Sequence, residues 1–85
     1  MRLTLKYFAS LREALGTGGE LDWQPAGEPT AAALRDWLRA QSPAHADALA
    51  SGRAVRVAVD QALADEATPL RDGSEVAFFP PVTGG

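Results

Sequence analysis

Leu3, Leu5 and Tyr7 alternate with Arg2, Thr4 and Lys6. A period of two marks a strand with one buried face. Phe8 then falls on the polar face, out of pattern. Ala9 to Leu15 fits two short helical turns, with Ser10 as the cap and Leu11 and Leu15 facing inward. Gly16, Gly18 and Gly19 break that segment. Leu21 and Trp23 alternate with Glu20 and Asp22, which predicts a second strand, and Gln24 to Pro29 reads as a loop.

Thr30 is a good N-cap for a helix through about Gln41. Ala33, Leu34, Trp37, Leu38 and Gln41 follow the helical spacing, with Arg35, Asp36 and Arg39 on the outer face. Ser42-Pro43 ends this helix, and Ala44 to Ala50 predicts a short further one closing at Gly52. Val55, Val57 and Val59 alternate with Arg56, Ala58 and Asp60 as a third strand. Asp60-Gln61 reads as a tight turn into a short fourth strand at Ala62-Leu63-Ala64. After a loop with an Asp72-Gly73 turn signal, Glu75 to Phe79 is the last strand. Val76 and Phe78 face one way, and Glu75, Ala77 and Phe79 the other. Two strands, one main helix and three more strands fit an α+β domain, read here as an antiparallel sheet with a helix laid across one face.

The chain has 85 residues, enough for one domain. A domain of this size buries only roughly 60% of its unfolded surface, so a reactive group is expected at the surface, at an end or at an interface. There is no cysteine, which excludes disulfides, a Cys-type zinc site and a thiolate nucleophile. That composition suits a reducing cytoplasm. The net charge is −3 and the eight Lys and Arg residues are scattered, so no basic stripe for nucleic acid is visible. Met1 to Lys6 does not read as a signal peptide, and no apolar run approaches the ~20 residues of a membrane span.

The last residues are Phe79-Pro80-Pro81-Val82-Thr83-Gly84-Gly85. Proline cannot donate to a ladder, so pairing is expected to stop at Pro80. The expected organisation is a folded domain over 1–80 and a flexible tail over 81–85. Extended, Pro81 to Gly85 reaches roughly 17 Å at about 3.4 Å per residue. Two glycines thread a narrow channel and leave the final carboxylate sterically open. Adenylation by ATP turns that carboxylate into an electrophile. A lysine amine then gives an isopeptide, and a sulfide or persulfide gives a thiocarboxylate. The plain alternative is a frayed terminus that happens to be glycine.

From Val57 to Gly85 above all, the sequence resembles the small, sulfur-carrier subunit of molybdopterin synthase, the molybdopterin-converting factor small-subunit family. The run Asp72-Gly73-Ser74-Glu75-Val76-Ala77-Phe78-Phe79-Pro80-Pro81-Val82-Thr83-Gly84-Gly85 is its specific ending, and Tyr7-Phe8-Ala9-Ser10-Leu11-Arg12-Glu13 is similar to its start. Asp60 stands where many members carry asparagine. The resemblance implies a β-grasp, ubiquitin-like fold: a mixed sheet of about five strands, with the first and last adjacent and parallel. It implies that an adenylyltransferase of the ubiquitin-activating type uses ATP on Gly85, and that a sulfur donor converts it to a thiocarboxylate, with no cofactor bound by the chain itself. The tail then enters the large catalytic subunit and gives sulfur to cyclic pyranopterin monophosphate. Two transfers build the dithiolene, within a heterotetramer. On this reading the chain is a carrier and not an enzyme by itself.

Gly85 is then the reactive residue and Gly84 its neighbour. Phe8 and Phe79 would stand together on the outer face beside the tail, as an apolar docking patch. Leu63 would join them, unless it is a satellite core contact. Pro80, Pro81, Val82 and Thr83 would lie against the partner. Arg12 and Glu13 match the family start, but a solvated helix surface explains them equally well. His45 lacks ligand partners, no metal site is expected, and Trp23 and Trp37 read as core. Asp65, Glu66, Asp72 and Glu75 form no recognisable acid–base pair. A thiamine-pathway sulfur carrier, a modifier conjugated to lysines, and an interaction module with an inert tail are the competing functions.

Overall fold

The first strand, β1 (Arg2–Tyr7), forms from the alternation that starts the chain, burying Leu3, Leu5 and Tyr7. The computed structural model describes residues 1–81. The elements that follow are α1 (Ala9–Leu15), β2 (Gly18–Asp22), α2 (Ala31–Arg39), α3 (Pro43–Ala48), β3 (Arg56–Val59), β4 (Ala62–Ala64) and β5 (Glu75–Phe79). The sheet order is β2-β1-β5-β3-β4. β1 and β5 run parallel and every other neighbouring pair is antiparallel. The sheet is therefore mixed, as the family resemblance implies, and not antiparallel throughout as element order alone suggested. Parallel neighbours need a long crossover, and everything from α1 to β4 lies between these two strands in sequence.

One face of the sheet carries Leu3, Leu5, Tyr7, Val57, Val76 and Phe78, and packs with Leu11, Leu34, Leu38, Leu49 and Leu70 into one core. The other face has no layer over it among the described residues. Val76 and Phe78 are almost fully buried, whereas Phe79 is half-buried, as the two-residue period requires.

Four local expectations are corrected. Ser10 does not cap α1; Phe8 occupies the N-cap in an extended conformation without a side-chain bond. α1 does end before Gly16, but β2 opens two residues earlier than expected, at Gly18, which pairs with Lys6. Gly18 has φ +94°, and a Cβ there would run into the Leu5 carbonyl, so the edge strand closes on β1 only because the side chain is missing. Trp23 lies one residue past β2 and is buried, its N–H donating to Met1 O at 2.8 Å. Ser42-Pro43 starts a helix: Ser42 Oγ accepts from His45 N at 3.1 Å and Pro43 sits in the first turn, where its missing N–H costs nothing.

The largest correction is Arg35, expected on the solvent face of α2. The buried positions of that helix are Ala31, Leu34, Arg35 and Leu38, an i, i+3, i+4, i+7 stripe. Arg35 Nε donates to Leu49 O at 2.9 Å, and Nη2 donates to Ala50 O at 2.6 Å and Arg53 O at 3.1 Å. Nη1 meets Glu66 Oε1 at 2.7 Å. The guanidinium thereby ties α2 to the segment that leads into β3. Gln41, expected on the inner face, is exposed beyond the helix end.

Candidate functional site

The open face can be mapped from the register, because paired residues point the same way. One row crosses four strands: Lys6 opposite Ala77, Ala77 opposite Ala58, and Ala58 opposite Leu63. The next row, toward the end of β5, holds Phe79 opposite Arg56. Phe8 continues that row on the β1 side. Its N–H donates to Phe78 O at 3.2 Å, extending the parallel ladder one residue past β1. Ala9, at φ +54°, then turns the chain into α1.

Phe8 and Phe79 thus stand at the same end of the open face. With Lys6, Ala58, Ala77 and Pro80 they line an open hollow of about 480 Å³. Phe8 is 46% exposed and Leu63 62% exposed, and these are the two large apolar side chains most open to water among the described residues. Leu63 shares the face but lines separate hollows along the β4 edge. Pro80 and Pro81 are half-buried. Val82, Thr83, Gly84 and Gly85 lie outside the described residues.

The floor of the hollow is alanine, so the aromatic rims stand clear of it. Lys6 is paired with Glu75 at 3.1 Å, both on this face. At the far end Arg2 meets Glu20 at 2.9 Å and Asp22 at 3.4 Å. Such exposed pairs contribute little to stability; here they neutralise the two basic residues of β1, Arg2 and Lys6. The turn joining β3 to β4 is held against β5: Asp60 N donates to Glu75 O at 2.8 Å and Asp60 Oδ1 accepts from Glu75 N at 2.9 Å. Asp60 and Gln61 both take positive φ, 51° and 67°, the hairpin turn for which Asp is well suited.

Among the described residues, no group of three His, Cys, Asp or Glu side chains is placed to hold a metal ion. No helix of the described chain is long and apolar enough to cross a membrane. His45 Nδ1 lies 2.7 Å from Ser42 Oγ at the start of α3, and Trp23 packs in the core with Trp37 at its margin.

Tyr7 lies directly beneath this end of the face. Its ring stacks on Phe78 at 6.4 Å and meets His45 edge-on at 6.5 Å. The hydroxyl is buried without a hydrogen-bond partner, and burial pushes its pKa up from 10.0 to about 12. A folded pKa above the unfolded one means stability that is intact below pH 10 and lost as pH rises toward 12. Tyr7→Phe should leave urea stability at pH 7 within about 1 kcal/mol or raise it, because no bond is lost. The variant should also lose less stability than the parent between pH 10 and 12. A loss of several kcal/mol at pH 7 would mean that the hydroxyl has a partner.

A β-grasp sheet whose last strand runs out beside an apolar hollow on its uncovered face defines a ubiquitin-like protein. The chain belongs to the ThiS family, which it matches over residues 5–85, and within it to the family of the molybdopterin synthase sulfur carrier subunits. It is 48% identical to the molybdopterin synthase sulfur carrier subunit of Escherichia coli K12 over 79 residues, covering 93% of this chain and 94% of that protein. It is 38% identical to the protein of the same name from Haemophilus influenzae over 84 residues, covering 98% and 99%. The crystal structure of small archaeal modifier protein 1 from H. volcanii superposes with a TM-score of 0.71 at 25% identity, over 95% of this chain and 98% of that one. The same fold occurs in a solved complex of subunits 1 and 2 of molybdopterin-converting factor from Helicobacter pylori 26695, with a TM-score of 0.68 at 22% identity over the whole of both chains.

Proposed function

We propose that this chain is the sulfur-carrier subunit of a molybdopterin synthase. The observation that carries the reading is the pairing of Phe8 and Phe79 at the end of the open face where β5 passes into Pro80 and Pro81. A stiff diproline exit beside an exposed aromatic hollow gives a partner something to hold while the Gly-Gly end reaches its chemistry. Gly85 supplies the carboxylate. ATP, used by an adenylyltransferase, activates it by forming the acyl adenylate and releasing pyrophosphate. Hydrosulfide then forms the C–S bond as the bond to AMP breaks, leaving a thiocarboxylate and releasing AMP. Inside the large subunit that sulfur passes to cyclic pyranopterin monophosphate, and the carboxylate is regenerated.

A second reading shares the same activation. A lysine amine attacking the adenylate would conjugate the chain to a protein, and the likeness to an archaeal modifier favours keeping that product in view. Mass spectrometry separates the two outcomes. Incubation with adenylyltransferase, ATP and a sulfur source should replace one terminal oxygen by sulfur. A branched peptide carrying Gly85 on a lysine would instead support the modifier.

The docking face is tested by Phe79→Ala and Phe8→Ala. A buried aromatic side chain is worth ~1.5–3 kcal/mol of transfer free energy, and interface hot spots reach ~2 kcal/mol or more. At ~1.4 kcal/mol per tenfold, affinity for the large subunit should fall roughly 10- to 100-fold by calorimetry. Urea unfolding of the free variants should show far less than the ~3–5 kcal/mol of a core Phe→Ala change. Unchanged affinity in both variants would remove the docking face.

A further inference from the structure

The open face carries a cation that no carboxylate of the described chain neutralises. Arg56 pairs in register with Phe79, so its side chain rises from the same face beside the aromatic rim, and it is exposed. Among the described residues it has no carboxylate within 4.0 Å. Lys6, the other basic residue in the middle of this face, already has Glu75. The acidic groups on the β4 side are each engaged elsewhere. Asp65 Oδ1 accepts from Ala67 N at 2.9 Å and lies 3.3 Å from Thr68 Oγ1. Glu66 takes Arg35, and Asp60 accepts from Glu75 N. Arg56 also shares a hollow with Val55 and Leu63, so it stands between the two apolar parts of the face, Phe79 on one side and Leu63 on the other.

We propose that the large subunit, where it covers Phe79, sets a carboxylate against Arg56, and that Arg56 thereby selects a partner whose apolar plug is flanked by an acidic residue. The inference rests on the docking face described above. A partner that covers Phe79 strips water from its neighbour. A guanidinium left there without an acceptor is penalised, whereas one met by a carboxylate gains a forked, charge-assisted pair. Asp65 and Glu66 line the same hollow, so a broadly acidic surface would be repelled. A single carboxylate aimed at Arg56 fits better. A charge at the edge of an apolar patch acts mainly on encounter, and salt screens it.

The experiment measures association kinetics and affinity with the large subunit over a series of NaCl concentrations, for the parent chain, Arg56→Ala, Arg56→Lys, Arg56→Glu and Phe79→Ala. The parent association rate should fall as salt rises. Arg56→Ala should flatten that dependence, and Arg56→Glu should reverse it and lower affinity roughly 10- to 100-fold. Arg56→Lys should keep the salt dependence. Urea unfolding of the free variants checks that each is folded. An Arg56→Glu variant that associates at the parent rate with the parent salt dependence, beside a weakened Phe79→Ala, overturns the charge pairing and leaves the docking face standing. If Phe79→Ala also binds as the parent does, the face itself is wrong and the pairing falls with it.

Discussion

Deleting Gly85, or adding one residue after it, is expected to abolish sulfur transfer and leave the folded domain intact. The chain has no cysteine, so it has no thiol on which to carry sulfur as a persulfide. Among the described residues, the open face carries aromatic, alanine and charged side chains and no thiol. The proposed carrier chemistry therefore concentrates on one carboxylate. Deletion moves that carboxylate back by about 3.4 Å and extension moves it forward by as much. A misplacement of about 1 Å can already cost 10²-fold in a positioned reaction. Stability should not follow, because among the described residues every buried core residue lies at or before Phe78. The measurement is synthase turnover with the large subunit, the pterin precursor and a sulfur source, beside urea unfolding of the free chain. A Gly85 deletion that still transfers sulfur would end the carrier mechanism. A deletion that unfolds the chain would mean that the tail belongs to the core.

The sheet and its open face were partly legible in the sequence. The alternations at Leu3, Leu5 and Tyr7 and at Val76 and Phe78 fix which face each strand buries, because a strand has only two faces. The same period puts Phe8 and Phe79 opposite the core. Their meeting on one hollow depends on β1 and β5 being parallel neighbours, which no local pattern states and which the family resemblance supplied. Leu63 shows the limit of this reasoning: its face follows from its pairing with Ala58, yet it borders different hollows. The glycines after Leu15 do end α1, but that β2 starts at Gly18 was not legible, because only the paired strand shows that its missing Cβ lets β2 close on Leu5. Arg56 was legible only as a polar position of an alternating strand, and the cross-strand pairing is what places it beside Phe79. In Ser42-Pro43 the stop signal for one helix was equally the start signal for the next.

Arg35→Ala should be the most destabilising single change short of the aliphatic core. Helical periodicity placed Arg35 outside because charged residues are rarely buried alone. It is not alone, since three carbonyls and one carboxylate surround its guanidinium. Truncation would leave Leu49 O, Ala50 O and Arg53 O without that donor, in a segment containing the fully buried Leu49. Hydrogen bonds to charged groups contribute about 1.5–3 kcal/mol each, and they are not additive. The Glu66 side chain is 51% exposed, so its share is screened and small. A loss of about 3 kcal/mol is expected, or roughly 12–24 °C in Tm for a domain of this size. Arg35→Lys should recover only part of it, since an ammonium lacks the planar fork that reaches several carbonyls at once. Glu66→Gln should cost less than about 1 kcal/mol. Thermal and urea unfolding of the three variants decide the matter. Near-equal losses for Arg35→Ala and Glu66→Gln would show that the ion pair and not the carbonyl cluster holds the guanidinium. An Arg35→Ala loss below about 1 kcal/mol would show that the segment from Leu49 to Arg53 is not anchored through α2 at all. At temperatures where the variant stays folded, sulfur loading at Gly85 should match the parent, because Arg35 packs on the helical side of the sheet and the docking hollow lies on the other.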